Sequence, residues 1–506
     1  MTKDDLLHDA AALGQAFEAH VRCLRNSLPT LTAVAVAIAS TVVLTLSGCA
    51  DSSGIVSSAK PIDPASVGLD TTAAAPAVSG DWWKGLGDPT LNGMVEQALS
   101  GNPNIRIAQA RFEQARAGVA GARSADGLHV NGEADVTRTR LSANGIYPPP
   151  LGGGTFTIGT TEVTAGYDFD FFGRNGAAIE AALGNQRAAQ AETEAARIML
   201  ASNVARAYVQ LARLFAQRDV ALRSLEQRDQ ILALVRQRVA AGLDTNVELR
   251  QGEESLPESR QQIEQLDEQI AMTRHALAAL TAQPPNAFDA LEVRLDAVRL
   301  VPVPETIPAD MLGRRADISA ARWRIEAATA NVRNAKAGFY PNVNLSAMVG
   351  LNSIGLDNLF KSSSRQWSAA PAITLPIFDQ GRLRANLSGR AADLDAAVES
   401  YNQAVLDAVR DAADQISSVR SIERQQTQQA QAQAAAESAY DLATQRYKAG
   451  LGTYLTVLNA EATVLAQRRL AADLKARAID VQIALVRALG GGYTELAPTR
   501  TAAAGQ

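Results

Sequence analysis

Two stretches of this chain repeat each other in the same order, and that duplication constrains the fold more than any other feature. Residues 238–243 read Arg-Val-Ala-Ala-Gly-Leu and residues 446–451 read Arg-Tyr-Lys-Ala-Gly-Leu, 208 positions apart. At the same offset Thr245 matches Thr453, Glu253 matches Glu461, and Gly173-Arg174 matches Gly381-Arg382. Upstream the offset becomes 213, and Ile105, Ala108, Arg111, Glu113, Val119 and Val130 match Ile318, Ala321, Arg324, Glu326, Val332 and Val343. The unit is roughly two hundred residues long, far beyond a solenoid repeat of 20–50. One architecture is therefore built twice.

Composition argues against a set of ordinary globular cores. The 506 residues include only 11 Phe, 9 Tyr and 4 Trp, and long tracts are dominated by Ala, Gln, Arg, Glu and Leu. Such tracts favour helix but supply few bulky side chains for a compact interior. The formal charge of −5 is mild and the two signs are interspersed, so nucleic acid is not the indicated partner.

The N-terminal region carries a sorting signal. Residues 30–46 form an uncharged run, followed by Ser47-Gly48-Cys49. The small residues before the cysteine mark a lipoprotein signal, cut so that Cys49 becomes the acylated first residue, rather than a plain anchor. Bacterial lipoproteins of this type carry an Asp next to the cysteine when retained at the inner membrane. Ala50 stands there instead, and the resemblance implies outer-membrane delivery. Asp4, Asp5, Asp9 and Glu18 do not suit a signal's leading region, whereas Val21-Arg22-Cys23-Leu24-Arg25 makes a conventional basic start. Translation is expected to begin at Val21; a precursor mass starting at Met1 would overturn that. Residues 1–48 are then extension and signal, and 49–80 a Ser/Ala/Pro-rich tether expected to be extended and poorly ordered.

The folded part opens at Asp81-Trp82-Trp83-Lys84, and Asp88-Pro89-Thr90 reads as a turn into a helix reaching Ala125. Strict alternation follows. Val163, Ala165, Tyr167, Phe169 and Phe171 point one way, and Thr164, Gly166, Asp168 and Asp170 the other, with Val130–Thr139 as the weaker partner strand. Tyr147-Pro148-Pro149-Pro150 and Gly152-Gly153-Gly154 between them form a loop. The second copy repeats the pattern from Asn342 to Leu351 and from Trp367 to Leu375. Strands of about ten residues cross an outer membrane when tilted. Four cannot close a barrel, and an open edge is not tolerated in lipid, so a spanning sheet of this kind requires several chains. The alternative is a half-buried sheet in a soluble domain.

From Asn175 to Ala241 there are 67 residues without proline, and from Arg382 to Ala449 another 68. At about 1.5 Å per residue each makes a helix roughly 100 Å long. Positions 211, 214, 218, 221, 225, 228, 232, 235 and 239 hold Leu, Leu, Arg, Ala, Leu, Arg, Leu, Val and Val, a coiled-coil seam broken by two arginines. Return helices are expected over Val247–Ala282 and Tyr454–Leu489. Gly242 and Gly450 suit left-handed caps at the reversals, and Pro257 should kink or break the first return helix. Gln283–Pro308, with the strand-like Leu291–Leu295, should wrap the helices. The repeats are placed at 81–283 and 313–493, with an equatorial linker at 284–312 and a tail at 494–506.

Catalytic patterns are missing. His129 and His275 are isolated, the six Met are dispersed, the glycine triplet leads into no phosphate cradle, and no serine sits in a nucleophile elbow. Glu253-Glu254 reads as a solvated helix face. Neither metal nor cofactor is expected, apart from covalent lipid on Cys49.

Taken together, the lipobox at Cys49, Asp81-Trp82-Trp83, the two Gly-Arg pairs, Gln445-Arg446-Tyr447 with Ala449-Gly450-Leu451, and the closing Gly490-Gly491-Gly492-Tyr493 resemble the TolC-like outer-membrane channels. The likeness is to their lipoprotein branch, which serves resistance-nodulation-division efflux pumps, and it covers residues 46 to about 493. The resemblance implies an α+β membrane protein: a homotrimer whose twelve-stranded β-barrel continues into a long α-helical coiled-coil barrel in the periplasm. It implies a passive conduit that opens by helix untwisting, energised by an inner-membrane proton-driven pump through a periplasmic adaptor. The adaptor-contacting tips would be Ala241, Gly242 and Leu243 with Ala449, Gly450 and Leu451, and the constriction Tyr447, Leu455, Thr456 and Asn459. One departure is expected to matter. The branch usually places an Asp, and an Arg three positions on, where this chain has Asn459 and Ala462. A gate held by packing and neutral hydrogen bonds, with weaker cation selectivity and pH dependence than in the relatives, is the expectation. The outlet of a type I secretion system shares this architecture, and a lipid-anchored periplasmic coiled-coil scaffold would share the helices and anchor but not the duplicated strands.

Overall fold

The computed structural model describes residues 52–69, 78–295 and 309–495. Cys49, Val21 and the tail beyond Glu495 lie outside the described residues. The described residues divide into two compact units, each assembled from parts of both repeats: one from residues 52–57, 122–178 and 330–393, the other from 58–69, 78–121, 179–295, 309–329 and 394–495.

The first unit is built on a four-stranded antiparallel sheet of β1 (His129–Arg140), β2 (Thr155–Phe169), β3 (Asn342–Ile354) and β4 (Arg365–Thr374), in that spatial order. The second hairpin follows the first edge to edge, as tandem copies of one unit should. β2 runs further toward the loop than alternation indicated and stops at Phe169, leaving Phe171 outside it. The register puts chemistry on two faces. One carries Val130, Ala165, Ala347 and Ala369 in a row, then Gly132, Val163, Val349 and Trp367, and at the end Phe169, Val343 and Ile373. The other carries Glu133, Glu162, Gly350 and Gln366, then Asn131, Thr164, Met348 and Ser368. The apolar face is nonetheless exposed, with Val163, Val349, Trp367 and Ile373 all open. At one end of it Tyr167 meets Phe169 edge to face at 5.1 Å and Phe169 stacks on Phe171 at 5.7 Å. An exposed apolar face ending in aromatics is what a lipid-facing barrel wall presents. β1 and β4 have no strand on their outer sides among the described residues.

The second unit is helical. The helix expected over Thr90–Ala125 is two, α1 (Pro89–Gly101) and α2 (Pro103–Ala125), because Pro103 cannot continue α1 and holds Asn102 extended. Asp88 caps α1, accepting from Thr90 N at 2.8 Å, and takes the Tyr208 hydroxyl at 2.5 Å. Burial and that bond push the Tyr208 phenol well above its usual range. Trp82 and Trp83, edge to face at 5.8 Å, are buried in the same cluster.

The long hairpins are α3 (Arg174–Ala240) with α4 (Asn246–Leu280), and α6 (Gln380–Lys448) with α7 (Tyr454–Ala488); α5 (Ala316–Ala337) is the second copy of α2. Along α3 the seam residues Leu211, Leu214, Ala221, Leu232 and Val235 are buried. The two arginines that broke the pattern are paired: Arg218 Nε donates to Asp267 at 2.5 Å and Arg228 Nε to Glu461 at 3.0 Å. Polar links also tie α3 to α7 at Arg206–Asp480, 2.7 Å, and Gln217–Asp473, 2.6 Å. Pro257 does not end α4, which runs unbroken through it. Leu291–Leu295 forms no strand; Val293 and Leu295 simply plug into the core while Arg274 of α4 holds the Leu291 carbonyl at 2.6 Å.

The tether is not loose over residues 58–69. Asp395 of α6 accepts from the amides of Ser58 and Ala59 at 2.9 Å, and Asn402 accepts from Ile62 N at 2.8 Å. Leu69 is buried beside Met311 and Val405. Apolar residues in a low-complexity stretch, met by two polar side chains that satisfy its backbone, were enough to order it.

Candidate functional site: the two hairpin tips

Both reversals use the same device. Leu243 N reaches back to Arg238 O at 2.9 Å and Gly242 N to Val239 O at 3.0 Å; Leu451 N and Gly450 N do the same to Arg446 O and Tyr447 O at 2.8 and 3.0 Å. These paired bonds require a left-handed residue, and Gly242 and Gly450 supply it at φ +73° and +74°. Leu243 and Leu451 are consequently held out in solvent.

Beyond the turns the copies diverge. Thr245 caps α4, accepting from Val247 N at 3.1 Å, while Glu248 reaches back to Thr245 N at 2.9 Å. At the equivalent place Thr456 stands for Glu248, and the Thr453 hydroxyl caps no amide of α7 but lies 3.0 Å from the Thr456 hydroxyl. Asp244, which has Gly452 as its counterpart, is the centre of the first tip. Arg238 Nε donates to it at 2.8 Å and the Tyr447 hydroxyl at 2.5 Å. The Arg238 guanidinium also lies 4.8 Å from the centroid of the Tyr447 ring and donates to the Tyr447 carbonyl at 3.2 Å. Tyr447 is fully buried, with Tyr454 5.9 Å away. The Arg238 bond holds the Asp244 carboxyl below the usual carboxylate range, and burial beside that carboxylate pushes the Tyr447 phenol up. A three-membered latch thus fastens the first tip to the second.

The residues singled out in the sequence fall into two groups. Ala241, Gly242, Leu243, Ala449, Gly450 and Leu451 are all exposed at the reversals. Leu455, Thr456 and Asn459 lie exposed on one face of α7, with Ala462 and Thr463 continuing it. Tyr447 belongs with neither; it faces its own chain as part of the latch. Sequence reasoning missed Arg238, Asp244 and the buried Arg228–Glu461 pair. Asp244 was visible as a difference between the copies, but its partner is 203 residues away in sequence. Among the described residues no group of His, Cys, Asp and Glu could hold a metal.

Comparison with known proteins gives this geometry its setting. The profile of the family described as "Outer membrane efflux protein" matches residues 94–283 and 307–491. The putative multidrug resistance outer membrane protein MdtQ of Escherichia coli is 32% identical over 461 residues, covering 89% of this chain and 96% of MdtQ. MdtP of the same organism is 33% identical over 422 residues, 81% of this chain and 86% of MdtP. The crystal structure of VceC, an outer membrane protein of Vibrio cholerae, superposes with a TM-score of 0.78 at 36% identity, covering 82% of this chain and all of VceC. With a doubled strand-and-hairpin unit, an exposed apolar sheet face and latched helical tips, the chain belongs to the outer membrane efflux protein family and is an outer-membrane channel of the TolC-like fold.

Proposed function

We propose that three copies of this chain form one passive export conduit, with Cys49 acylated at the outer membrane. An inner-membrane proton-driven pump would load it with small molecules, multidrug cargo among them, through a periplasmic adaptor that meets Ala241–Leu243 and Ala449–Leu451. The observation that carries the assembly is the four-stranded sheet with one lipid-compatible face and two unpaired edges, which needs further strands to exist in a bilayer. Detergent-extracted protein should migrate as a heat-stable trimer and conduct ions in planar bilayers. A monomer without conductance would sink the proposal.

Gating is assigned to the exposed face of α7 carrying Leu455, Thr456 and Asn459, with the Tyr447 latch holding that face in place. Asn459→Asp, which adds the carboxylate usual in the branch, should raise cation selectivity; unchanged selectivity would remove Asn459 from the constriction.

A further inference from the structure

One level of α4 is weakened twice. Pro257 lies inside the helix, so the carbonyl of Glu253 lacks its amide donor. A turn earlier stands Gly252, where a Cβ would come 2.8 Å from a Leu232 methyl of α3 and 3.3 Å from the Tyr454 hydroxyl of α7. Between and beyond them, Ser255 and Ser259 turn their hydroxyls onto the helix's own carbonyls at 2.9 and 2.8 Å, an arrangement that favours bending.

At that level a single side chain gathers three helices. Arg228 of α3 donates Nε to Glu461 of α7 at 3.0 Å. Its Nη1 reaches Ser255 O and Ser259 Oγ of α4, both at 3.0 Å, and Glu258 at 3.3 Å. Ser224 supplies Glu461 with a second donor at 3.3 Å. Arg228 is 15% exposed and Glu461 6%, so the pair has lost most of its water. Buried pairs are poor sources of net stability, and fixing register is their best-attested use. Toward the tips the packing becomes more apolar, with Ile231, Val235, Tyr440, Ala443 and Val457 in one cluster, and charged bonds return at the Arg238–Asp244–Tyr447 latch.

We propose that Arg228 and Glu461 are positioning residues of the gate, pinning α7 to the first hairpin beside the weakened Gly252–Ser259 segment. Beyond this level α4 bends at its weakened segment and α7, Leu455 and Asn459 included, swings away from the first hairpin when the channel opens. The assignment rests on reading the tips as the gate.

The test uses the full-length protein in planar bilayers, reading the fraction of time single channels are open, with heat resistance of the oligomer in detergent as control. Glu461→Gln should raise the open fraction roughly tenfold or more, the scale of one charge-assisted bond. Pro257→Ala restores the missing amide and should lower the open fraction below that of the unmodified channel. Where Glu461→Gln does not assemble, Arg228→Met with Glu461→Met removes the pin without stranding a charge, and should show the same rise. A pair that only glues the fold would change heat resistance without these opposite shifts in opening. Conductance unchanged in all variants, or shifted the same way by Glu461→Gln and Pro257→Ala, overturns the assignment. An unmodified channel that never conducts overturns the channel reading itself.

Discussion

Tyr447 contributes to the tip through one hydroxyl and one ring face, and these can be separated. Tyr447→Phe keeps the ring under Arg238 but removes the donor to Asp244. A lost bond to a charged group costs about 1–3 kcal/mol locally, so the variant should open more often in planar bilayers while its oligomer stays intact. Asp244 adds a pH dependence whose sign follows from its depressed folded-state pKa. Its contribution is complete above the unfolded-state value, near pH 4, and falls away as pH drops through the lower folded value. Opening should therefore be flat from neutral pH to about 5 and rise only below about 4, and Asp244→Asn should abolish that rise. None of this latch was legible as a unit. Tyr447 was placed at the constriction only by the family resemblance. Its burial and its partner depend on how the hairpins pack, which periodicity does not encode.

At the level of elements, sequence periodicity placed the long helices within a residue or two, since helix length is set by capping glycines and the absence of proline. It failed where proline's effect depends on context. Pro103 splits a helix because it sits beside an extended Asn102, whereas Pro257 is absorbed where Arg228 of α3 holds Ser255 and Ser259 on either side of it. The helix ends also reveal an asymmetry. α7 closes with Gly490 in a left-handed conformation, and its counterpart at the end of α4 is Ala282, at φ +56°. Both make the same paired bonds, Gly491 N to Val486 O at 2.9 Å and Gln283 N to Ala278 O at 2.7 Å. Ala282→Gly should therefore stabilise the chain by about 0.5–1 kcal/mol, the left-handed cost of alanine less glycine's extra unfolded-state freedom. The reverse change at Gly490 cannot be borne, because its Cβ would come 2.1 Å from the Arg314 carbonyl. Thermal unfolding of the two variants should show opposite shifts, with Gly490→Ala much the larger.

For the molecule as a whole, duplication, alternation and helix length indicated membrane-length strands and long helical hairpins built twice, while a barrel continued by helices came from the family resemblance. What alternation could not show was which residues share a row across strands. The polar face of the sheet carries Glu133, Asp135, Glu162 and Asp168 without a Lys or Arg, and Glu133 stands directly opposite Glu162. Charge selectivity should then arise in the sheet as well as at the tips. Glu133→Gln with Glu162→Gln should lower the preference for cations, more at low salt than at high, whatever residue occupies position 459. Reversal potentials across a salt gradient would show it.

The bond from Ser58 to Asp395 joins residues 337 positions apart. Closing so long a loop is slow, and it cannot begin until most of the chain has been delivered to the compartment where it folds. The first stretch of the folded chain to emerge is thus among the last to find its seat.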